Sequence, residues 1–345
     1  MTKKFDVIIG NPPYQEEAEG SATHGKPIYH LFMDAAYESG RKVILITPAR
    51  FLFNAGYTPK SWNTKMLSDP HLSVTQYLPD SNSLFPGTDI KGGIAVTYRD
   101  EGQQGIPIGT FTSYPELNVI TQKVATTHSM SLSRTITSSR SYRYTQKMHD
   151  DHKQAESLMA KGEKFKVNTK TFRQLDFLYH AEKPNDAHPY SQVLGLVDSQ
   201  RKMPWIRSEY IQGPDNFQAF KVAVPKANGS GKFGEPLASP IVLPPNTAVT
   251  QTFITIGCFN TKFEAEACLK YVKSKFSRAL LGTLKITQDN PARTWEHVPI
   301  QDFTGNSDID WLQPISNIDQ QLFSKYNLSE EETLFIENNV RPMDK

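Results

Sequence analysis

Apolar positions in the first hundred residues alternate between two spacings. Phe5-Asp6-Val7-Ile8-Ile9 is an apolar run broken only by Asp6, the pattern of a strand buried on both faces. Ile28, Leu31, Phe32, Ala35 and Ala36 fall at i, i+3, i+4, i+7 and i+8, which is one face of a helix. Gly40 closes that helix. Residues 43–46 read as a second buried strand, ended by Pro48. Thr58-Pro59 reads as a helix cap and first-turn proline, with Trp62 and Met66 four apart behind them. Residues 72–78 and 93–98 read as two more strands. This alternation predicts an α/β fold for residues 1–105, with a doubly wound, mostly parallel sheet.

The rhythm changes from about residue 106, and residues 106–345 read as a second, α+β domain. Helical spacing is predicted over 115–127 and 150–161, and strands over 220–224 and 249–257. A long helix is predicted over 262–281, started by a capping box of Thr261 and Glu264 and ended by Gly282. A last helix near 330–338 has its own box in Ser329 and Glu332. No internal repeat is visible.

Composition narrows the class. The 345 residues are 38% hydrophobic and 21% charged, enough apolar content for packed cores. No apolar run approaches the roughly 18–20 residues of a membrane span, and the N-terminus lacks a signal-peptide pattern. Two cysteines, Cys258 and Cys268, exclude a disulfide scaffold and a four-cysteine zinc site. A soluble cytoplasmic protein with both thiols in its core is expected. The net charge of +2 argues against a nucleic-acid partner, but it is unevenly spread. Residues 1–115 carry −1, residues 116–290 carry +9, and residues 291–345 carry −6. The second domain therefore contains a basic block beside an acidic tail.

Chemistry concentrates in Gly10-Asn11-Pro12-Pro13-Tyr14, at the end of the first strand. Open α/β sheets place ligands beyond such ends. Two prolines fix φ and remove two backbone donors, which leaves a stiff turn with free carbonyls. Pro12 biases Asn11 towards an extended backbone. The Asn11 amide oxygen and the Pro12 carbonyl can then act as paired acceptors beside the Tyr14 ring. Two acceptors and a stacking face suit a planar amine such as the amino group of adenine.

The stretch Phe-Asp-Val-Ile-Ile-Gly-Asn-Pro-Pro-Tyr over 5–14 resembles the catalytic motif of amino-methylating DNA methyltransferases. Its Asn-Pro-Pro-Tyr form points to adenine. Residues 27–36 and 43–49 resemble the helix and strand that follow the motif in that family, and 84–93 resembles its later hairpin. The order of catalytic motif and then recognition region is similar to the gamma arrangement of restriction–modification enzymes, whose recognition domains 220–227 and 271–276 also resemble. The resemblance implies a partial Rossmann-like methyltransferase sheet followed by an α+β target-recognition domain. It implies S-adenosylmethionine as methyl donor, double-stranded DNA as partner, and an adenine flipped into a pocket. Asn11 and Pro12 would accept the amino protons, with Pro13 stiffening the turn, and Tyr14 and Phe85 would clamp the base. Phe32 would sit beside the cofactor adenine.

One departure stands out. Family members carry a Gly-rich cofactor loop upstream of the motif, whereas the motif begins here at residue 10. The expectation is half of a split enzyme served by a second polypeptide with that loop, the downstream piece of a broken gene, or a degraded relative. Gly229-Ser-Gly231-Lys-Phe-Gly234 fits G-x-G-x-x-G, but the prolines after it preclude the helix a dinucleotide loop opens. A flexible, phosphate-facing loop is expected there instead.

Arg134, Arg140, Arg143 and Lys147, interleaved with Tyr142 and Tyr144, are candidates for reading DNA. Lys270, Lys273, Lys275 and Arg278 are candidates for its phosphates. Two other readings remain. The chain can be a DNA-recognition module without chemistry. Asp80 with Asp89 and Lys91 also fits a loose Mg²⁺-nuclease pattern. No metal site is expected; His149-Asp150-Asp151-His152 reads as a solvated helix start.

Overall fold

The computed structural model describes residues 4–16, 25–127 and 130–343. The chain forms two compact units, 1–118 and 119–345. The division falls inside the helix Pro115–Thr127, beyond the composition change near residue 106.

The first unit is built on β1 (Phe5–Gly10), α1 (Tyr29–Ser39), β2 (Gly40–Pro48), α2 (Lys60–Leu67), β3 (Leu72–Leu78) and β4 (Ile94–Asp100). The strand order is β1-β2-β4-β3. The β1–β2 pair is parallel, with α1 as its crossover, while β4 is antiparallel to both β2 and β3. The sheet is therefore mixed, and only one of its pairings is parallel. Because β4 runs backwards between two strands of one direction, the carboxyl ends of β1, β2 and β3 all meet at one edge. The link from Leu78 to Ile94 crosses that edge too, opposite Pro48.

Side chains explain which face is covered. Ile8 aligns with Val43, and both join Tyr29, Met33, Leu45, Phe51, Trp62 and Met66 in one apolar core. The buried stripe of α1 is Tyr29, Met33 and Tyr37, so the helix is rotated from the expected face and Leu31 and Phe32 are exposed. Trp62 Nε1 donates to Asp34 at 3.0 Å and ties α2 to α1. Thr58 does not cap α2; its hydroxyl donates to the Asn63 side chain at 2.7 Å, and Pro59 occupies the cap position. β1 is an edge strand whose other face is bare. Phe5, Val7 and Ile9 are 56%, 52% and 74% exposed, against the expectation of a strand buried on both faces.

The second unit has two further four-stranded sheets. In one, Phe220–Pro225 lies between Ile241–Leu243 and Phe253–Phe259, with Ile136–Thr137 beyond. In the other, Tyr190–Val197 pairs with Thr247–Val249, Gln200–Lys202 and Trp205–Arg207. The expected strand over 249–257 is thus divided between the sheets, broken at Thr250–Thr252. The expected helix over 150–161 is two short pieces, Gln146–Asp151 and Ala155–Leu158. Both capping boxes form as read, at Thr261/Glu264 and Ser329/Glu332.

The expected helix over 262–281 breaks at Ser274 into Lys262–Lys273 and Lys275–Leu281. Ser274 adopts φ −59° and ψ 151°, and its hydroxyl caps the second piece by accepting from the Ser277 amide. The buried Asp319 carboxylate accepts from the Lys275 and Phe276 amides, at 3.1 and 2.9 Å. A serine and a carboxylate thus supply the acceptors that a helix start needs. Burial nevertheless pushes the Asp319 carboxyl up to about 6, against those two amides.

That shift has a sign. Asp319 binds its proton more tightly in the folded state, so its contribution is fully present below the unfolded carboxyl range. It is lost as pH rises through about 6. Stability should fall by about 2 kcal/mol between pH 4 and 7 from this group. Urea titrations across that range should show the fall in the wild type and a flatter profile in Asp319→Asn. Equal slopes for both proteins would contradict it.

Candidate active site

Asn11 follows β1 directly, where the strand runs off the sheet edge. The turn after it is fixed by backbone pairing: the Ile28 amide donates to Tyr14 O at 3.1 Å, and the Glu16 amide donates to Lys26 O at 2.9 Å. Tyr14 is half-buried, and its ring leans on the core beneath α1. Its hydroxyl is buried without a hydrogen-bond partner among the described residues, and burial pushes the phenol up. An apolar-sided, weakly acidic ring is suited to stacking rather than proton transfer.

The second aromatic arrives on the link between β3 and β4. Ser81 organises this link. Its hydroxyl donates to Thr88 O at 2.9 Å and accepts from the Ile90 amide at 2.8 Å, while its carbonyl accepts from the Phe85 amide at 2.8 Å. The link re-enters the sheet through Gly93 at φ +78°, where a Cβ would stand 2.3 Å from Leu78 O. Only glycine fits that approach.

A cavity of about 680 Å³ opens at this edge, with Asn11, Tyr14, Tyr29, Arg50, Tyr57 and Phe85 in its wall. The volume lies within the range of small-molecule sites. Asn11, Tyr14 and Phe85, distant in sequence, are therefore brought together. Pro12 is half-buried and Pro13 exposed in the turn between Asn11 and Tyr14. Phe32 is on the exposed side of α1 and is not in the cavity wall.

The nuclease pattern finds no geometry. The Asp80 carboxylate accepts from the Asn82 amide at 3.0 Å, as a turn cap. Asp89 holds Lys91 at 2.5 Å. Among the described residues, no group of three or more His, Cys, Asp or Glu side chains is placed to hold a metal. His149 is buried with Nε2 on Lys164 O at 2.7 Å, and the His152 ring packs on Tyr210.

In the second unit, Arg140 and Arg143 stand together. With Lys164, Phe165 and Lys166 they line a cavity of about 430 Å³, and Arg140, Lys166 and Lys170 line an adjoining one of about 230 Å³. The Arg143 guanidinium lies 5.6 Å from the Phe165 ring centre and Lys164 Nζ 5.5 Å from it. Lys164 and Lys166 are held by Glu156 and Glu163. These lysines were missed in the sequence, although Lys164-Phe165-Lys166 repeats the cation–aromatic interleaving of 140–144. Lys147 is exposed and paired with Asp151, which raises its pKa. Arg134 is exposed on the short turn Leu132–Thr135.

The structure corrects the remaining cations. Arg278 is 2% exposed and donates to the carbonyls of Lys273, Glu235 and Arg341. Lys275 Nζ is bound by the carbonyl and carboxylate of Glu337. Lys270 Nζ is taken by the carbonyls of Trp311, Leu312 and Gln313. Lys270 and Lys275 tie their helices to later segments, and Arg278 ties its helix to carbonyls on both sides of it in the chain. Lys273 is half-buried beside a groove with Phe263 and Trp311. Cys268 is buried as expected, but Cys258 is exposed.

The G-x-G-x-x-G loop already holds an anion of its own. The Ser230 and Gly231 amides each donate to the Glu235 carboxylate at 2.9 Å, and Lys285 joins it at 2.9 Å. Burial would raise that carboxyl, yet the amides and Lys285 outweigh it and hold it at about 2. The loop is closed, not phosphate-facing.

Comparison with known proteins bears on the first unit. Residues 1–85 match the family model described as Eco57I restriction-modification methylase. Over 105 residues the chain is 34% identical to a protein of Mycoplasma pneumoniae (strain ATCC 29342 / M129 / Subtype 1) named "Uncharacterized adenine-specific methylase". That match covers 30% of this chain and 25% of the relative. Two solved structures are similar at low identity. The type IIG restriction endonuclease BpuSI aligns over 90% of this chain and 45% of that one, at 10% identity and TM-score 0.29. The type IIL restriction-modification enzyme MmeI, solved with DNA, aligns over 97% and 56%, at 9% identity and TM-score 0.31. The chain thus spans a quarter of the curated relative and about half of each solved structure. Among the described residues, no helix is long and apolar enough to cross a membrane.

The corrected placement of Arg278 is testable. Arg278→Ala should destabilise the chain by about 2–4 kcal/mol, because three carbonyls lose a buried charged donor. Arg140→Ala should change stability by less than about 0.5 kcal/mol. Thermal unfolding of both variants checks this; equal melting temperatures would contradict it.

Proposed function

We propose that this chain supplies the base-binding catalytic strand end and the target-recognition region of an adenine-specific DNA methyltransferase of a restriction–modification system. The observation that carries this reading is the single cavity formed by Asn11, Tyr14 and Phe85. Two supports stand beside it. The matched family segment, residues 1–85, contains all three residues. The sheet order, with one reversed strand between two of common direction, is compatible with a partial Rossmann-like sheet.

The chemistry follows from the wall. An extruded adenine stacks between Tyr14 and Phe85, which offsets part of the unstacking cost. The Asn11 amide oxygen and the Pro12 carbonyl accept the two amino protons. That pairing concentrates electron density on the nitrogen and fixes its direction. S-adenosylmethionine, when bound, supplies an electrophilic methyl. On this chain's side, Asn11 and Pro12 would keep the amino nitrogen's lone pair turned towards that methyl, and one amino proton would leave to solvent. No strong base is required; positioning and fixed acceptors supply the rate.

The described residues do not complete a holder for that donor. Phe32 is exposed on α1 and the only G-x-G-x-x-G loop is filled by Glu235. In this reading a Gly-rich loop from outside the described residues supplies that holder, and a second polypeptide is one source of it. Among the described residues β1 is an edge strand, and its outer face bears the exposed Phe5, Val7 and Ile9; both features support such an association, since an apolar edge strand invites another strand. A second reading, a DNA-recognition module without chemistry, is supported by Arg140 and Arg143 standing together at one cavity.

Labelled methyl transfer to duplex DNA, with the loop-bearing half supplied, should fall about 10²–10³-fold in Asn11→Ala. Undiminished transfer would sink the enzyme reading, while sequence-selective binding without donor binding would favour the recognition module. In the DNA-binding role, Arg140→Ala/Arg143→Ala should weaken duplex binding and reduce the slope of log affinity against log salt by about 2. An unchanged slope would remove these two arginines from the interface.

A further inference from the structure

The base reading leaves the cations of its cavity unused. Arg50 sits just past β2, in the 3-10 turn Ala49–Phe53, and lines the cavity. Its Nε donates to the Lys91 carbonyl, on the link that carries Phe85. Its aliphatic stem runs between two glycines with positive φ. A Cβ on Gly92 would stand 2.9 Å from Arg50 Cγ, and one on Gly56 3.2 Å from Arg50 Cβ. The side chain is thus confined between the loop bearing Tyr57 and the link bearing Phe85.

With Nε engaged, the two terminal nitrogens have no hydrogen-bond partner among the described residues. Tyr29 and Arg50 stand in the same cavity wall, and burial pushes the Tyr29 phenol up to about 12, against Thr58 and the Arg50 charge. Among the described residues no carboxylate forms an ion pair with Arg50. The carboxylate of the same wall, Asp89, is held by Lys91 at 2.5 Å. Among the described residues, the cavity therefore presents stacking rings, an amide acceptor and one guanidinium without an ion-pair partner. A neutral adenine offers that group only uncharged ring nitrogens, whereas a nucleotide also offers a phosphate whose charge matches it. Arginine's planar fork suits two phosphate oxygens.

We propose that Arg50 is a phosphate anchor: it holds a phosphate of the same nucleotide whose base lies between Tyr14 and Phe85. This rests on the base-clamp reading, and it names the ligand as a nucleotide unit rather than a base. The anchor fixes the sugar–phosphate side while Asn11 fixes the amino group.

Saturation-transfer NMR of the full chain with deoxyadenosine and with deoxyadenosine 5′-monophosphate tests it, because that method reads weak affinities. The monophosphate should bind about tenfold more tightly. Arg50→Gln should remove the preference and keep deoxyadenosine binding, and Arg50→Lys should keep part of it. Equal affinities in the wild type, or a preference that survives Arg50→Gln, overturns the anchor alone. If Arg50→Gln loses both ligands, competition in the wild type decides. Inorganic phosphate should displace only the monophosphate, and failure to do so overturns the anchor. Absence of deoxyadenosine binding by the wild type overturns the base clamp, and with it the anchor.

Discussion

The parallel pairing of β1 with β2 is the constraint on which the candidate site depends. Its register, Gly10 opposite Leu45, delivers Asn11 to the sheet edge beside Pro48 and Arg50. A right-handed crossover through α1 is the ordinary way to join such strands. It returns the chain so that both carboxyl ends share one edge. The reversed strand β4 then makes β3 run with β1 and β2, so the link holding Phe85 must cross that same edge. Three segments far apart in sequence converge because of strand direction alone.

That geometry divides the labour within the first unit. Core residues such as Met33, Phe51 and Met66 are fully or nearly fully buried on one face, and burial of this kind supplies most of the stability. Chemistry-bearing residues lie beyond the strands, where their loops are fixed by specific bonds. Ser81 orders the Phe85 link, the Ile28 amide holds Tyr14, and Arg50 joins two loops. The other sheet face is left with Val7 and Ile9 in solvent, an arrangement that a parallel pair rarely tolerates without cover.

Much of this was legible in the sequence, for identifiable reasons. Short apolar runs gave every strand of the first sheet, and turn chemistry gave both capping boxes. The tetrapeptide at 11–14 pointed to a base site because proline, amide and ring have fixed chemical roles. The failures are equally physical. The rotation of α1 was hidden because apolar residues lie on two of its faces, and Tyr29, Met33 and Tyr37 took the buried one. Strand direction leaves no trace in a strand's own residues, so β4 was not seen to be reversed. Ser274 looked like a helix interior, since a cap and an exposed serine read alike. Arg278 and Lys275 matched a DNA face by charge, but their partners are backbone carbonyls and a carboxylate supplied by distant segments. Glu235 fills the glycine loop only because the chain folds back on itself there.

The central claim is that Asn11, Tyr14 and Phe85 form one pocket for the amino group of adenine. Long-read sequencing that detects modified bases, on DNA from cells expressing this chain with a loop-bearing partner, tests it most directly. The account predicts N6-methyladenine in one sequence context, lost in both Asn11→Ala and Phe85→Ala. Methylated cytosine in its place, or methyladenine undiminished by Asn11→Ala, would contradict it.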